Sequence, residues 1–254
     1  MPFSALANNV RVLVTTKIVS EPDVAPSVSS VGIQTADVKR VIEPSDEANL
    51  RMAASLKRAN GVVKITAACV SAITDRNVFK RVLLLGADDA VLIKRVSLDS
   101  LETAALIRRL ITLESYELVL LSNSSSDNGS GQTAPALASL LGWPHLSNVA
   151  KLVWANGQLR VLCLLDRGFV WFEIDLPCII ACNAKTTEPE LSSLSELIAA
   201  KLKRVRLKSL GTRSVSPKLM AFKHTAAVSS RNCKIVVGVA NALETTLECL
   251  RLMC

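Results

Sequence analysis

Residues 118–142 read LVLLSNSSSDNGSGQTAPALASLLG, and three kinds of chain follow one another inside that stretch. Leu118–Ser122 is mostly aliphatic and of strand length, which predicts a buried strand. Ser122–Gly131 is serine, asparagine, aspartate and glycine throughout, which marks a loop. Gln132–Leu141, rich in alanine and leucine, reads as a helix. A buried strand that passes through a polar turn into a helix is the repeating unit of a parallel sheet covered by helices.

The same unit recurs upstream. Val10–Thr16 (VRVLVTT) is a β-branched run that predicts a first strand, followed by a loop with Pro22 and Pro26. Ser45 stands before Asp46 and Glu47, an N-cap candidate with acids in the first turn, and a helix is expected to about Arg58. Asn60-Gly61 ends it, and Val62–Ala68 is the second strand. Residues 72–85 read as a helix closed by Gly86, Ala90–Ile93 as a third strand and Ser100–Glu114 as a helix. The expected fold class is α/β: a doubly wound, mostly parallel sheet with an antiparallel hairpin addition and a C-terminal arm.

Downstream of Trp143-Pro144 the rhythm changes. Val149–Trp154, Asn156-Gly157 and Leu159–Leu164 predict a hairpin, and Gly168–Ile174 and Cys178–Cys182 two more strands. Residues 191–207 carry an amphipathic stripe (Leu191, Leu194, Leu197, Ile198, Leu202, Val205) that runs into the basic cluster Lys201–Lys208. Past Leu210 the chain is irregular until Ile235–Val239 and a short helix, Leu243–Leu252. The division this suggests is an N-terminal extension (1–9), an α/β domain (10–184), a loop and helix (185–208) and a C-terminal arm (209–254).

The chain has 254 residues, half of them apolar, and a net charge of +8, which excludes disorder, collagen and coiled coil. No apolar run is long enough to span a bilayer. Residues 185–254 hold 12 Lys/Arg against 5 Asp/Glu, whereas residues 1–184 are nearly balanced. A basic tail suits a nucleic acid such as RNA, a lipid headgroup surface or an acidic protein partner. With aromatics at only 4% and none interleaving the Lys/Arg cluster, stacking platforms for a nucleic acid are missing, so a protein partner ranks first. Seven scattered cysteines suggest a reducing compartment, and Cys178 and Cys182 share one strand face without a second pair to complete a zinc site. Two histidines, His145 and His224, give a triad or metal centre little to build on. No paired carboxylates or nucleophile–base pair can be singled out. The N-terminus lacks the apolar region of a secretory signal.

Ligands of doubly wound sheets bind at the carboxyl ends of the strands. Three such ends are visible: Thr15-Thr16-Lys17, Ala67-Ala68-Cys69 and the Ser122–Gly131 loop. Serine hydroxyls, free amides and a helix N-terminus together make a phosphate cradle. Neither GxGxxG nor GxxxxGK[ST] is present, and taken alone such a loop is more often a solvated turn.

The order of segments resembles the β subunit of electron transfer flavoprotein. Arg11–Lys17 (RVLVTTK) is similar to that family's opening strand, and Glu43-Pro44-Ser45-Asp46-Glu47 to its Asn-Pro-x-Asp-Glu helix start. Gly86-Ala87-Asp88 followed by Ala90–Ile93 matches a further motif. Asp127–Ala138 (DNGSGQTAPALA) and Leu140–Pro144 (LLGWP) are the most specific part, and Leu176-Pro177 and Glu188-Pro189 fall in place. The match covers roughly residues 10–205.

The resemblance implies a structural AMP, an α-type partner subunit holding most of the FAD contacts, and docking to acyl-CoA dehydrogenases or other flavoprotein dehydrogenases. It further implies electron passage to the respiratory chain in fatty acid oxidation, a location in the mitochondrial matrix, and no catalytic residue of the chain's own. Carried over by position, AMP would meet Thr15, Pro44, Ser45, Asp46, Cys69, Asp127, Asn128, Gly129, Ser130, Gly131, Gln132, Thr133 and Ala134. Ser130 and the Gln132 amide would approach the phosphate. Docking would fall on Leu194, Leu197, Ile198 and Lys201, with Leu194 as anchor or, alternatively, as one more core position of the stripe.

Several family positions differ. Glu43 replaces Asn, which brings a carboxylate toward a phosphate unless it points away. Gly129 replaces an Asp, Val70-Ser71 a Gly-Pro, and Pro22 and Ser45 two aromatic residues that approach the flavin. Ser195 replaces a Pro after the anchor and Ala199 a Lys. These departures define the competing expectation of a non-redox paralogue that serves as a structural or assembly component of a large mitochondrial complex.

Overall fold

The structure is a computed structural model that describes residues 10–22, 27–29, 32–34, 38–60, 64–72, 75–95, 99–155, 158–183, 194–203, 205–208 and 210. In chain order the strands and helices are β1 (Arg11–Thr16), β2 (Ile18–Ser20), β3 (Ser27–Ser29), β4 (Gly32–Gln34), β5 (Arg40–Ile42), α1 (Pro44–Asn60) and β6 (Lys64–Ser71). Next come α2 (Arg76–Phe79), α3 (Arg81–Leu84), β7 (Asp89–Lys94), α4 (Ser100–Glu114), β8 (Leu118–Ser122) and α5 (Thr133–Leu141). The last are β9 (His145–Ala155), β10 (Gln158–Leu165), β11 (Gly168–Ile174), β12 (Cys178–Cys182), α6 (Leu194–Leu202) and β13 (Val205–Lys208).

Among the described residues one sheet of nine strands runs in the order β11-β10-β9-β12-β8-β1-β6-β7-β13. From β9 to β13 every neighbouring pair is parallel, and β10 and β11 extend the sheet as antiparallel strands. Alternate residues of the buried strands enter two separate cores. Val12, Val14, Ile65, Leu92, Leu118 and Ile180 pack with Leu50 and Ala53 of α1, Phe79 of α2, Val82 of α3 and Ala200 of α6. Leu13, Ala68, Val91, Val119 and Ile179 pack on the other side with Ile107 and Leu110 of α4 and Leu137 of α5. A sheet apolar on both faces and helices on each side is the doubly wound arrangement expected. Cys69, Cys163, Cys178 and Cys182 are free, buried thiols. Among the described residues no helix is long and apolar enough to cross a membrane.

Local chemistry explains the boundaries and the departures. α1 begins at Pro44, one residue before the expected cap, because proline's fixed φ and missing N–H suit the first helical position. Asp46 and Glu47 in its first turn and Lys57 and Arg58 in its last complement the dipole. The expected helix over 72–85 is two short helices: Asp75 accepts from the Asn77 and Val78 amides and so fixes a start at Arg76, and Lys80 interrupts the rest. Gly86 does close this segment. Its φ is +106°, and a Cβ there would lie 2.7 Å from the Ala54 Cβ. α4 starts with a full capping box between Asp99 and Glu102.

Two regions differ more. The loop expected after β1 contains β2 and β5, paired antiparallel from Ile18 with Ile42, and β3 paired with β4. The stripe over 191–207 is not one continuous helix. α6 ends at Leu202, and β13 joins the main sheet, Val205 opposite Ala90 and Lys208 opposite Ile93. Arg206 reaches Asp89 and Glu114, and Lys208 reaches Glu114, so the basic cluster is in part an edge-strand clamp. The Asn156-Gly157 turn, residues 184–193 and the C-terminal elements at 235–252 lie outside the described residues.

Candidate functional site

Four parallel strands, β1, β6, β7 and β8, end on one side of the sheet, and a cavity of about 970 Å³ lies there. That is toward the upper end of the size of small-molecule sites. The N-terminal turns of α4 and α5 face it through Ser100, Thr103, Gln132 and Thr133. Two helix N-termini and a ring of hydroxyls make the cavity an environment for an anion.

The loop after β8 is tied down by α1 and the segment before it. Glu43 is buried, and its Oε2 accepts from the Ser126 amide at 2.9 Å and the Ser126 hydroxyl at 2.6 Å. Ser45, also buried, donates to Glu43 Oε1 at 3.3 Å and to the Ser124 carbonyl at 3.5 Å. Glu43 is not a lining residue of the cavity. The carboxylate that replaces the family's Asn therefore secures the loop instead of opposing a phosphate.

Asp46 accepts from the Lys17 amide at 2.7 Å and from the Ser122 hydroxyl at 2.5 Å, and Asn49 donates to that hydroxyl at 3.0 Å. Burial pushes the Asp46 carboxyl up to about 7, against the lowering effect of its donors. The Lys17 ammonium pairs with Asp127 at 2.6 Å. Burial favours the neutral form of Asp127, but hydrogen bonds from Lys17 and Ser125 outweigh it and hold the carboxyl below its ordinary value. Gly131 sits at φ +61°, where a Cβ would come within 2.7 Å of the Asn123 carbonyl oxygen. Only glycine lets the loop fold back that closely.

Of the residues the sequence singled out, Thr15, Asp46, Asn128, Ser130, Gly131, Gln132 and Thr133 line the cavity. Pro44, Ser45, Cys69, Asp127, Gly129 and Ala134 do not line it. Cys69 is fully buried in β6, and burial pushes its thiol up to about 12. The sequence did not point to Arg95, Ser100 and Thr103, which also line the cavity. Arg95 directly follows β7, so the strand-end rule that found the other three ends would have found it too. On the opposite face, Leu194 is 73% exposed, and Ile198 and Leu202 on the same helix are exposed as well. Leu194 is thus a surface residue and not a core one. The side chains of Leu197 and Lys201 lie outside the described residues.

A family model described as "Electron transfer flavoprotein domain" matches residues 31–209. The chain belongs to the electron transfer flavoprotein family. Its similarity is to β subunits. It is 27% identical over 179 residues to the electron transfer flavoprotein subunit beta of Dictyostelium discoideum, covering 70% of this chain and 72% of that one. The corresponding subunit of Syntrophomonas wolfei is 24% identical over 215 residues, 84% and 85% of the two chains. The rice protein "Electron transfer flavoprotein subunit beta, mitochondrial" (Oryza sativa subsp. indica) is 28% identical over 180 residues, 69% and 71%. An electron transfer flavoprotein β-like chain accordingly has relatives in mitochondria and in bacteria.

Proposed function

We propose that the chain is the β subunit of an electron transfer flavoprotein, which holds AMP in the strand-end cavity and pairs with an α-type subunit that carries FAD. The observation that supports this best is the cavity itself. It lies at the carboxyl ends of the strands and is lined by Ser130, Gly131, Gln132 and Thr133 at the start of α5. The α5 amides and the Ser130 hydroxyl suit a phosphate, and Thr15 and Asn128 supply polar partners for a ribose and a base. In this reading AMP is structural, and the flavin supplies the redox chemistry. The chain's own residues hold the nucleotide and offer a surface to partners. The exposed row Leu194, Ile198 and Leu202 supports docking of acyl-CoA dehydrogenases or other flavoprotein dehydrogenases, with electrons passed on to the respiratory chain in the mitochondrial matrix.

The competing role, a non-redox component of a large mitochondrial assembly, is favoured by Ser45. Its side chain is buried and bonded to Glu43, at a position where the resemblance implies an aromatic residue in animal-type β subunits. Purification of the full chain from its native source separates the two. The expected result is a yellow complex with a second, α-type subunit, releasing AMP on denaturation. A colourless chain in a megadalton particle, with no nucleotide in the extract, would overturn the electron-transfer assignment.

A further inference from the structure

Among the described residues the nine-stranded sheet has two edges, and they differ. At one edge β13 is four residues long, and two of them, Arg206 and Lys208, are cations held by acids. Short, charged edges resist pairing with another chain. At the other edge β11 is seven residues long, reads GFVWFEI and pairs on one side, with β10. Its register sets Val170 and Phe172 beside Cys163 and Val161, and Phe169 and Trp171 beside Leu164 and Leu162. Apolar side chains therefore stand on both faces of the strand. Phe169 is 59% exposed and Trp171 43%, and Leu165, Val170 and Phe172 are exposed as well. An edge that is apolar, exposed and without charged gatekeepers is a template for a further strand. The one acid in β11 is answered at home. Glu173 pairs with Arg160 at 3.4 Å, and the Arg160 guanidinium lies 5.3 Å from the centre of the Trp171 ring.

We propose that β11 pairs with β11 of a second copy of this chain, antiparallel about a two-fold axis at Trp171. A two-fold axis normal to a sheet sets identical edge strands antiparallel. Because β10 and β11 are already antiparallel, the second copy's strand continues the same pattern outward. Centred on Trp171, the pairing puts Val170 opposite Phe172 of the second copy and the two Trp171 side chains beside each other. Aromatic and β-branched pairs of this kind stabilise sheets. Glu173 falls opposite Phe169, so the two glutamates stand at opposite ends of the seam and do not face each other. The exposed surface of Leu165, Phe169, Val170, Trp171 and Phe172 amounts to roughly 450 Å² per copy. The backbone edge and the Arg160 stem bring the pair to the roughly 1,200 Å² at which specific interfaces begin. No residue of β10 or β11 lines the strand-end cavity, so the seam is independent of the nucleotide. It also leaves the other faces of each copy free for an α-type subunit.

Native mass spectrometry and sedimentation equilibrium on the full chain, purified with any partner it carries, test this. Wild type should give particles that hold two copies of the chain. Trp171→Lys sets like charges against each other on the axis and should weaken the pair by roughly thirtyfold or more, the loss of one hot-spot residue. Trp171→Phe should keep the pair. Leu113→Lys, which places a charge on an exposed leucine of α4, should leave it unchanged. Should Trp171→Lys not fold, hydrogen exchange on the wild type decides: the β11 amides turned away from β10 should be slowed by the second copy. One copy per wild-type particle would overturn the proposal, whichever other subunit covers β11. So would a folded Trp171→Lys variant that stays paired, or outward β11 amides that exchange as fast as unpaired ones.

Discussion

The two flanks of the cavity are built differently. On the flank formed by β1, β8 and the start of α1, the charges answer one another: Lys17 with Asp127, Glu43 with Ser126, Asp46 with Ser122 and the Lys17 amide. On the flank formed by β7 and α4, Arg95 faces the cavity without such an answer among the described residues. Groups already satisfied by the protein can shape a site but have little left to give a ligand. A cation held at a rim without a partner does the reverse, because its hydrogen bonds are completed from outside. The first flank is thus a scaffold for the loop, and the second is less tied by the protein's own groups among the described residues.

The contrast can be broken on the scaffold flank, and the largest effect belongs to Asp46. Its carboxyl is raised from 3.8 to about 7, so the fold prefers it protonated. That contribution is complete below the unfolded value and fades as pH rises from about 4 toward 7, a span worth roughly 4 kcal/mol. Urea unfolding across this range should show wild type losing stability relative to Asp46→Asn. Parallel profiles would mean that Asp46 is already charged. Next comes Glu43→Ala, which removes the two hydrogen bonds that tie the exposed Ser126 to a buried carboxylate and should cost about 1 kcal/mol in a thermal melt. A loss of only a few tenths would show that the loop does not depend on this tie. The smallest effect is expected for Lys17→Met, since its pair with Asp127 is over a third exposed on both sides. It should cost under about 1 kcal/mol at low salt and nothing measurable at about 1 M, where exposed pairs are screened.

The main sheet was legible in the sequence because β1, β6, β8 and β12 are continuous apolar runs and α4 has a helical period with its cap in place. The site was legible where residues are contiguous: Asn128 to Thr133 line the cavity apart from Gly129. What could not be read depends on long-range pairing. Strands of three residues, such as β2 and β5, are too short for a period to emerge, and only their partners define them. In β13 the alternation Val-Arg-Leu-Lys hides inside a basic run at a helix end, and the acids that fix it, Asp89 and Glu114, are 117 and 92 residues away. The direction of Glu43 is likewise decided by Ser126, 83 residues on. Electrostatics at the level of composition assigned the basic cluster to a partner. In the fold, Arg206 and Lys208 are instead occupied at home.

The parallel sense of β13 has a consequence for the rest of the chain. Because Lys208 sits opposite Ile93, the polypeptide leaves the sheet on the side where Arg95 stands, and Leu210 rests against the core shared by α4 and α5. Leu210 therefore lies toward the mouth of the strand-end cavity and not toward its floor.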